Sequence, residues 1–146
     1  MLIPGLVNAH THAAMTLFRG LADDLPLDAW LRERIWPVER RFVSAEFVRD
    51  GTELAIAEML RAGITCFSDQ YFFPEIVAQT AVELGMRAMI GTPVVDFATA
   101  WASDAAKVRG SIWNNRSPAL NSSRATGSAA VHSCVVVRGT LTPARR

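Results

Sequence analysis

Half of the 146 residues are hydrophobic, enough apolar side chain for one core of ordinary size, and no apolar run approaches the ~20 residues of a membrane helix. No basic segment precedes Pro4, so no signal peptide is expected, and two distant cysteines, Cys66 and Cys134, form no disulfide framework and fit a reducing compartment, the cytoplasm. The formal net charge of +1 conceals a division: residues 1–104 carry all fourteen acids against eight arginines, −6, whereas residues 105–146 carry six arginines and Lys107 with no acid, +7.

Pro4 and Gly5 punctuate a turn, and residues 6–9 form a short apolar run of the kind a buried strand needs. Side chains alternate along a strand, so His10 and His12 project from one face while Thr11 points away between them. Two converging imidazoles suit zinc, iron or nickel. The same pair can also be ordinary polar residues where a strand runs out into a loop, and spacing alone does not separate the two readings. Residues 13–21 can be a helix or a loop, with Gly20 and Asp23-Asp24 marking the end. Pro26 and Asp28 then start a helix that Pro37 is expected to interrupt. Leu27, Trp30 or Leu31, and Ile35 fall on one side of it and Arg32-Glu33-Arg34 on the other. Trp30 and Trp36 read as core packing, or one of them as an apolar wall for a flat ring.

Ser44 is a good N-cap for a helix that Gly63 stops, and Val48, Ala55, Ile56, Met59 and Leu60 share one helical stripe. Residues 64–67 read as a parallel strand apolar on both faces and buried under helices. Asp69, just past it, either faces an active-site mouth or caps the loop that follows, and the second is favoured. Pro74 and Glu75 open the next helix, with Ile76, Val77, Thr80, Ala81 and Leu84 on its buried face and Gly85 at its end. Residues 87–90 form a third strand. The 23 residues from Ile64 to Arg87 are one strand-helix repeat, which predicts β-α-β-α-β with three parallel neighbours in chain order. Residues 97–104 should begin a helix.

Beyond residue 105, Gly, Ser, Asn and Arg break every longer period, and only residues 130–137 resemble a strand. His132 in that run is in principle a third ligand, although a lone histidine beside an apolar run is usually incidental. Seven cations over this segment, with no aromatic interleaving beyond Trp113, do not make a nucleic-acid arm.

The string PGLVNAHTH at residues 4–12 resembles the first-strand signature of the amidohydrolase superfamily, whose members hold one or two metal ions at the mouth of a (β/α)8 barrel. AAMTLFRGLADDLPLDAWLRERIWPVE and GITCFSDQYFFPEIVA are similar to the branch containing 5'-methylthioadenosine/S-adenosylhomocysteine deaminases and related chlorohydrolases. The resemblance covers roughly residues 2–104, with Gln70 standing where an apolar residue such as Met is expected. It implies that His10 and His12 are metal ligands, for Zn2+ or another divalent ion such as Fe2+. It also implies that Glu39, in the "WPxE" segment, is where the adenosine deaminases of the branch hold the ribose hydroxyls. Read from the residues alone, Glu39 is equally a surface glutamate beside Arg40 and Arg41. A triazine or chlorinated-ring hydrolase would not need the ribose contact, so Glu39 also discriminates between substrate classes.

The implied fold is α/β, a partial (β/α)8 TIM barrel of about the first three strand-helix units with an irregular C-terminal tail, because a whole barrel needs ~250 residues. The implied reaction is hydrolytic deamination of a small molecule, an adenosine-type nucleoside or related amino-heterocycle. The remaining ligands and the acid/base glutamate belong to later strands, so the fragment is expected to be inactive alone. Cytidine-deaminase-type chemistry is set aside, since position 12 is His and no Cys-x-x-Cys exists. The expected organisation is an N-terminal barrel fragment over residues 1–104 and an out-of-frame or disordered tail over 105–146. No nucleic-acid or membrane partner is expected, and exposed barrel edges favour self-association. The alternatives from outside enzymology are a non-functional truncated gene product and a weak metal-binding or interaction module.

Overall fold

The computed structural model describes residues 2–93 and 99–102, together with the backbone of 134–137. Four strands, β1 (Leu6–Thr11), β2 (Ile64–Gln70), β3 (Arg87–Gly91) and β4 (Cys134–Val137), form one sheet in the order β1-β2-β3-β4. β1, β2 and β3 are parallel neighbours in chain order, as the repeat length predicts, and the register sets Thr11 against Asp69 and Gln70 against Gly91. β4 closes the outer side of β3 in the antiparallel sense. It lies within the 130–137 run expected to be a strand, while residues 130–133, His132 among them, fall outside the described residues.

Parallel strands cannot be joined by a tight turn, and long crossovers make the two connections here. The first holds a 3₁₀ helix (Ala13–Phe18), a continuous helical run of α1 (Leu27–Ala29), a π-helical segment (Trp30–Ile35) and α2 (Trp36–Phe42), and then α3 (Ala45–Arg61). The second is α4 (Pro74–Glu83). Pro37 does not interrupt the run as expected. A proline lacks the N–H and its ring clashes with the carbonyl four residues back, and the preceding π turn, in which the Trp36 N–H reaches Leu31, gives the widened spacing that accommodates it. Leu27 is exposed at the start of this run, whereas Ile35 is buried.

Ser44 caps α3 as expected, its Oγ accepting the Phe47 N–H at 3.1 Å, and Gly63 ends the segment with φ +78°. Val48, Ala55, Ile56 and Met59 are buried, but Leu60 is half exposed. At ~100° per residue Leu60 sits about 120° around from Val48, past the margin of the stripe. Leu84 is also exposed, because α4 ends at Glu83 and Leu84 lies in its C-terminal cap. The core gathers these helix faces with Ala13, Ala14, Phe67, Ala88 and Ile90.

Three further expectations are corrected. Residues 6–9 are not a buried strand: β1 is the edge of the sheet, and Leu6 and Val7 are 55% and 65% exposed. β2 is buried on one face only; Phe67 is fully covered by the helix layer while Cys66 and Ser68 on the opposite face are half-buried. The described part of the expected helix at 97–104, residues 99–102, is a turn. The Thr99 N–H bonds the Ala102 carbonyl at 2.8 Å, and the Ala102 N–H bonds Thr99 Oγ1 at 2.9 Å, a local hydroxyl bond that competes with helix.

Candidate metal and substrate site

His10 and His12 emerge exposed at the C-terminal end of β1, on the same face of the strand, with ring centroids 5.1 Å apart and the rings edge to face. His12 Nδ1 lies 2.6 Å from the Gln70 carbonyl oxygen. A carbonyl only accepts, so Nδ1 carries a proton, and in the neutral imidazole Nε2 keeps its lone pair for a ligand. A metal-binding histidine is commonly fixed by such a bond from its other ring nitrogen. The two imidazoles therefore fit a zinc-type ion by donor chemistry, filling two of the usual four positions. Among the described residues no group of three or more His, Cys, Asp or Glu is placed to hold an ion.

Asp69 lies on the other face of the sheet from the histidine pair, opposite Thr11, and is 2% exposed. Its Oδ1 accepts the Ala13 N–H at 2.6 Å and lies 2.7 Å from Thr11 Oγ1, which is also 2.8 Å from the Ser68 carbonyl oxygen. Its Oδ2 has no partner among the described residues. Burial pushes the Asp69 carboxyl up, and the bonds from Ala13 and Thr11 and the two nearby histidines oppose that rise. Asp69 thus faces no open mouth, and it caps the 3₁₀ segment after β1 rather than the loop after its own strand.

Glu39 is not a surface residue. While Arg40 and Arg41 point outward from α2, Glu39 is 8% exposed and its Oε1 accepts the Tyr71 hydroxyl at 2.8 Å. Burial raises the Glu39 carboxyl, opposed by the Tyr71 bond and by His12. Burial together with the neighbouring carboxylate drives the Tyr71 phenol upward, so it stays a donor. The Tyr71 ring stands 6.2 Å from the His12 ring, which makes it the physical link between the histidine pair and Glu39.

Sequence reasoning missed Tyr71. The available signal was that it is the single tyrosine of the chain, directly after β2, and a buried phenol must find a hydrogen-bond partner. Trp30 and Trp36 are half-buried; Trp30 Nε1–H donates to the Ala22 carbonyl at 3.1 Å and the Arg32 guanidinium sits over the Trp36 ring. A cavity of about 260 Å³ opens beside His12, lined in part by Asn8, Thr16, Glu58 and Met59. That is below the ~300 Å³ at which small-molecule pockets begin.

The model of the amidohydrolase family matches residues 1–140. The 5-methylthioadenosine/S-adenosylhomocysteine deaminase of Teredinibacter turnerae is 62% identical over 102 residues, covering 70% of this chain and 23% of that protein. A zinc-bound adenosine deaminase from Xanthomonas campestris superposes with a TM-score of 0.73 at 51% identity, over 77% of this chain and 27% of that one. The zinc complex of an atrazine chlorohydrolase from Arthrobacter aurescens shares the fold, with a TM-score of 0.64 at 19% identity over 79% of this chain and 31% of that one. The chain spans 23% of the length of the first curated relatives it matches.

Proposed function

We infer that this chain, which belongs to the amidohydrolase family, carries about the first three strand-helix units of the barrel of a metal-dependent (β/α)8 hydrolase that deaminates an adenosine-type nucleoside or a related amino-heterocycle. His10 and His12 would hold the ion, Zn2+ or another divalent metal such as Fe2+. The observation that carries this reading is the fixed tautomer of His12, whose Nε2 lone pair stands free beside the His10 ring at the C-terminal end of a parallel strand. That end is where barrels of this class place their chemistry.

When bound, the ion supplies the Lewis acidity that makes water nucleophilic near neutral pH. The overall change is that water adds to a ring carbon bearing an amine, the C–N bond breaks, and ammonia leaves after protonation. The chain's own contribution is to hold and to bind. The Gln70 carbonyl keeps the proton on His12 Nδ1. Glu39 gives Oε1 to Tyr71 and so has Oε2 left to accept from a sugar hydroxyl, which supports a nucleoside over a triazine.

These 146 residues alone are proposed to be inactive, because the described residues bring no third ligand to the histidine pair. With zinc added, the purified chain should release no ammonia from adenosine, 5'-methylthioadenosine or a chlorotriazine. It should bind Zn2+ weakly, and His10→Ala and His12→Ala should each remove that binding. Zinc-dependent ammonia release lost in His10→Ala would overturn the inactivity, and zinc binding indifferent to both substitutions would overturn the metal site.

A second reading concerns residues 105–146, proposed to be translated out of frame although the family match extends to residue 140. The loss of every acid after Asp104 supports it. So does β4, which pairs antiparallel at the edge where a barrel would continue in parallel. Reading the coding DNA in all three frames tests it: restored family sequence in another frame supports it, and its absence sinks it.

A further inference from the structure

The geometry points to Asp69 as the positioning residue for His12, a role that rests on the metal-site reading above. Three successive residues at the end of β2 offer acceptors to the three successive residues around that ligand. The Ser68 carbonyl oxygen lies 2.8 Å from the Thr11 hydroxyl, Asp69 Oδ1 takes the Ala13 N–H at 2.6 Å, and the Gln70 carbonyl takes His12 Nδ1–H at 2.6 Å. Asp69 Oδ1 also stands 2.7 Å from the Thr11 hydroxyl, whose one proton it shares with the Ser68 carbonyl, so one carboxylate oxygen meets the residues on both sides of His12.

The ladder itself does not do this. β1 is an edge strand, and its register with β2 is broken between Asn8 and Thr11, where His10 lies. Backbone pairing therefore does not carry the strand evenly to its histidines, and the Asp69 side chain re-anchors it at Thr11. Downstream, Ala13 and Ala14 are buried against the core, which continues the clamp on the far side. A fully buried carboxylate with one oxygen lacking a partner among the described residues is an unfavourable arrangement for a mere turn cap. It makes sense where the direction of the following ligand must be held, since ligands work only when their rotamers and backbone are locked by a supporting shell.

The test uses the whole chain carrying Asp69→Ala, Asp69→Asn or Thr11→Val, with folding followed by far-UV circular dichroism. Long-range nitrogen-proton NMR at about pH 8, above the ordinary histidine pKa, reads the His12 tautomer without any metal. Zinc affinity is measured separately by calorimetric titration. Wild type should hold the proton on Nδ1. Asp69→Ala should give mixed tautomers and bind Zn2+ about tenfold more weakly, in line with the 10- to 100-fold effect of outer-shell partners. Asp69→Asn, which keeps an Oδ1 acceptor, should restore both. A folded Asp69→Ala with the wild-type tautomer and affinity overturns the positioning role while leaving the metal site intact. If wild type binds no zinc through its histidines, the metal reading fails, and the tautomer of Asp69→Ala still decides whether Asp69 orients the ring. Should Asp69→Ala not fold, Thr11→Val decides in its place: an unchanged His12 tautomer there overturns the role.

Discussion

A buried carboxylate held by a single phenol is a sensitive arrangement, because deleting the phenol leaves the charge both desolvated and unpaired. Tyr71→Phe removes the 2.8 Å bond to Glu39 and should destabilise the fold by about 1–3 kcal/mol in urea unfolding, the penalty for orphaning a buried polar group. Glu39→Gln keeps an acceptor and loses the charge, so it should restore most of that. The two can be told apart by pH. The Glu39 carboxyl is raised above 4.5 in the folded protein, so the folded state binds its proton more tightly than the unfolded chain does. Stability from this group is therefore greatest at low pH and falls as pH rises from about 4.5 through the raised value. Relative to wild type, Glu39→Gln should gain stability across that rise, measured as the difference in urea midpoints at pH 4 and pH 7; a constant difference would mean Glu39 titrates normally. At this scale the sequence was half legible. His10 and His12 could be placed because strand alternation is strict, whereas the inward turn of Glu39 was hidden by the arginines beside it and Tyr71 belonged to no periodic pattern.

Among the elements, the contact that seats the segment after His12 is the meeting of the 3₁₀ helix with α3. A Cβ added at Gly51 would lie 2.5 Å from the Ala14 carbonyl oxygen and 2.8 Å from its Cα, both backbone atoms that cannot swing aside. Gly51→Ala would gain up to ~1 kcal/mol of helix propensity. Overpacking a closed interface costs about 1–3 kcal/mol, so the clash wins and the variant should be less stable. The displaced Ala14 should also disturb His12, seen as shifted imidazole resonances; a stabilised variant with unshifted histidines would show that the two helices are free to separate. Helix and strand order was legible from caps and spacing: Ser44, Gly63 and Gly85 mark the ends they should. The π turn was not, since its only trace in the sequence is Pro37, which reads equally as a break. The exposed Leu60 and Leu84 show the limit of periodicity, which counts turns but does not know where the neighbouring surface stops.

For the molecule as a whole, the parallel β1-β2-β3 order was legible, but not what happens at its margins. A periodic apolar run announces a strand without saying whether a neighbour covers it, and β1 is where that ambiguity matters. Its outer backbone edge pairs with nothing among the described residues; Leu6 and Val7 are exposed on it, and so are Leu2 and Ile3 in the segment before it. An unpaired, apolar edge strand is a template for another strand. The opposite margin of the sheet is β4, only four residues long, so the six-residue β1 is the longer template. Two copies joining β1 to β1 would use the same patch on each, an isologous contact that closes at a dimer instead of growing into a fibre. We therefore expect concentration-dependent dimers in sedimentation velocity at about 10–100 μM. Val7→Lys, a charge on the exposed edge, should shift the equilibrium toward monomer by about tenfold with an unchanged circular dichroism spectrum, because a lysine on an edge strand must be desolvated when another strand pairs there. A monomeric wild type at the highest concentration would show that the edge is covered by part of the chain itself, and larger assemblies that survive Val7→Lys would place the contact elsewhere.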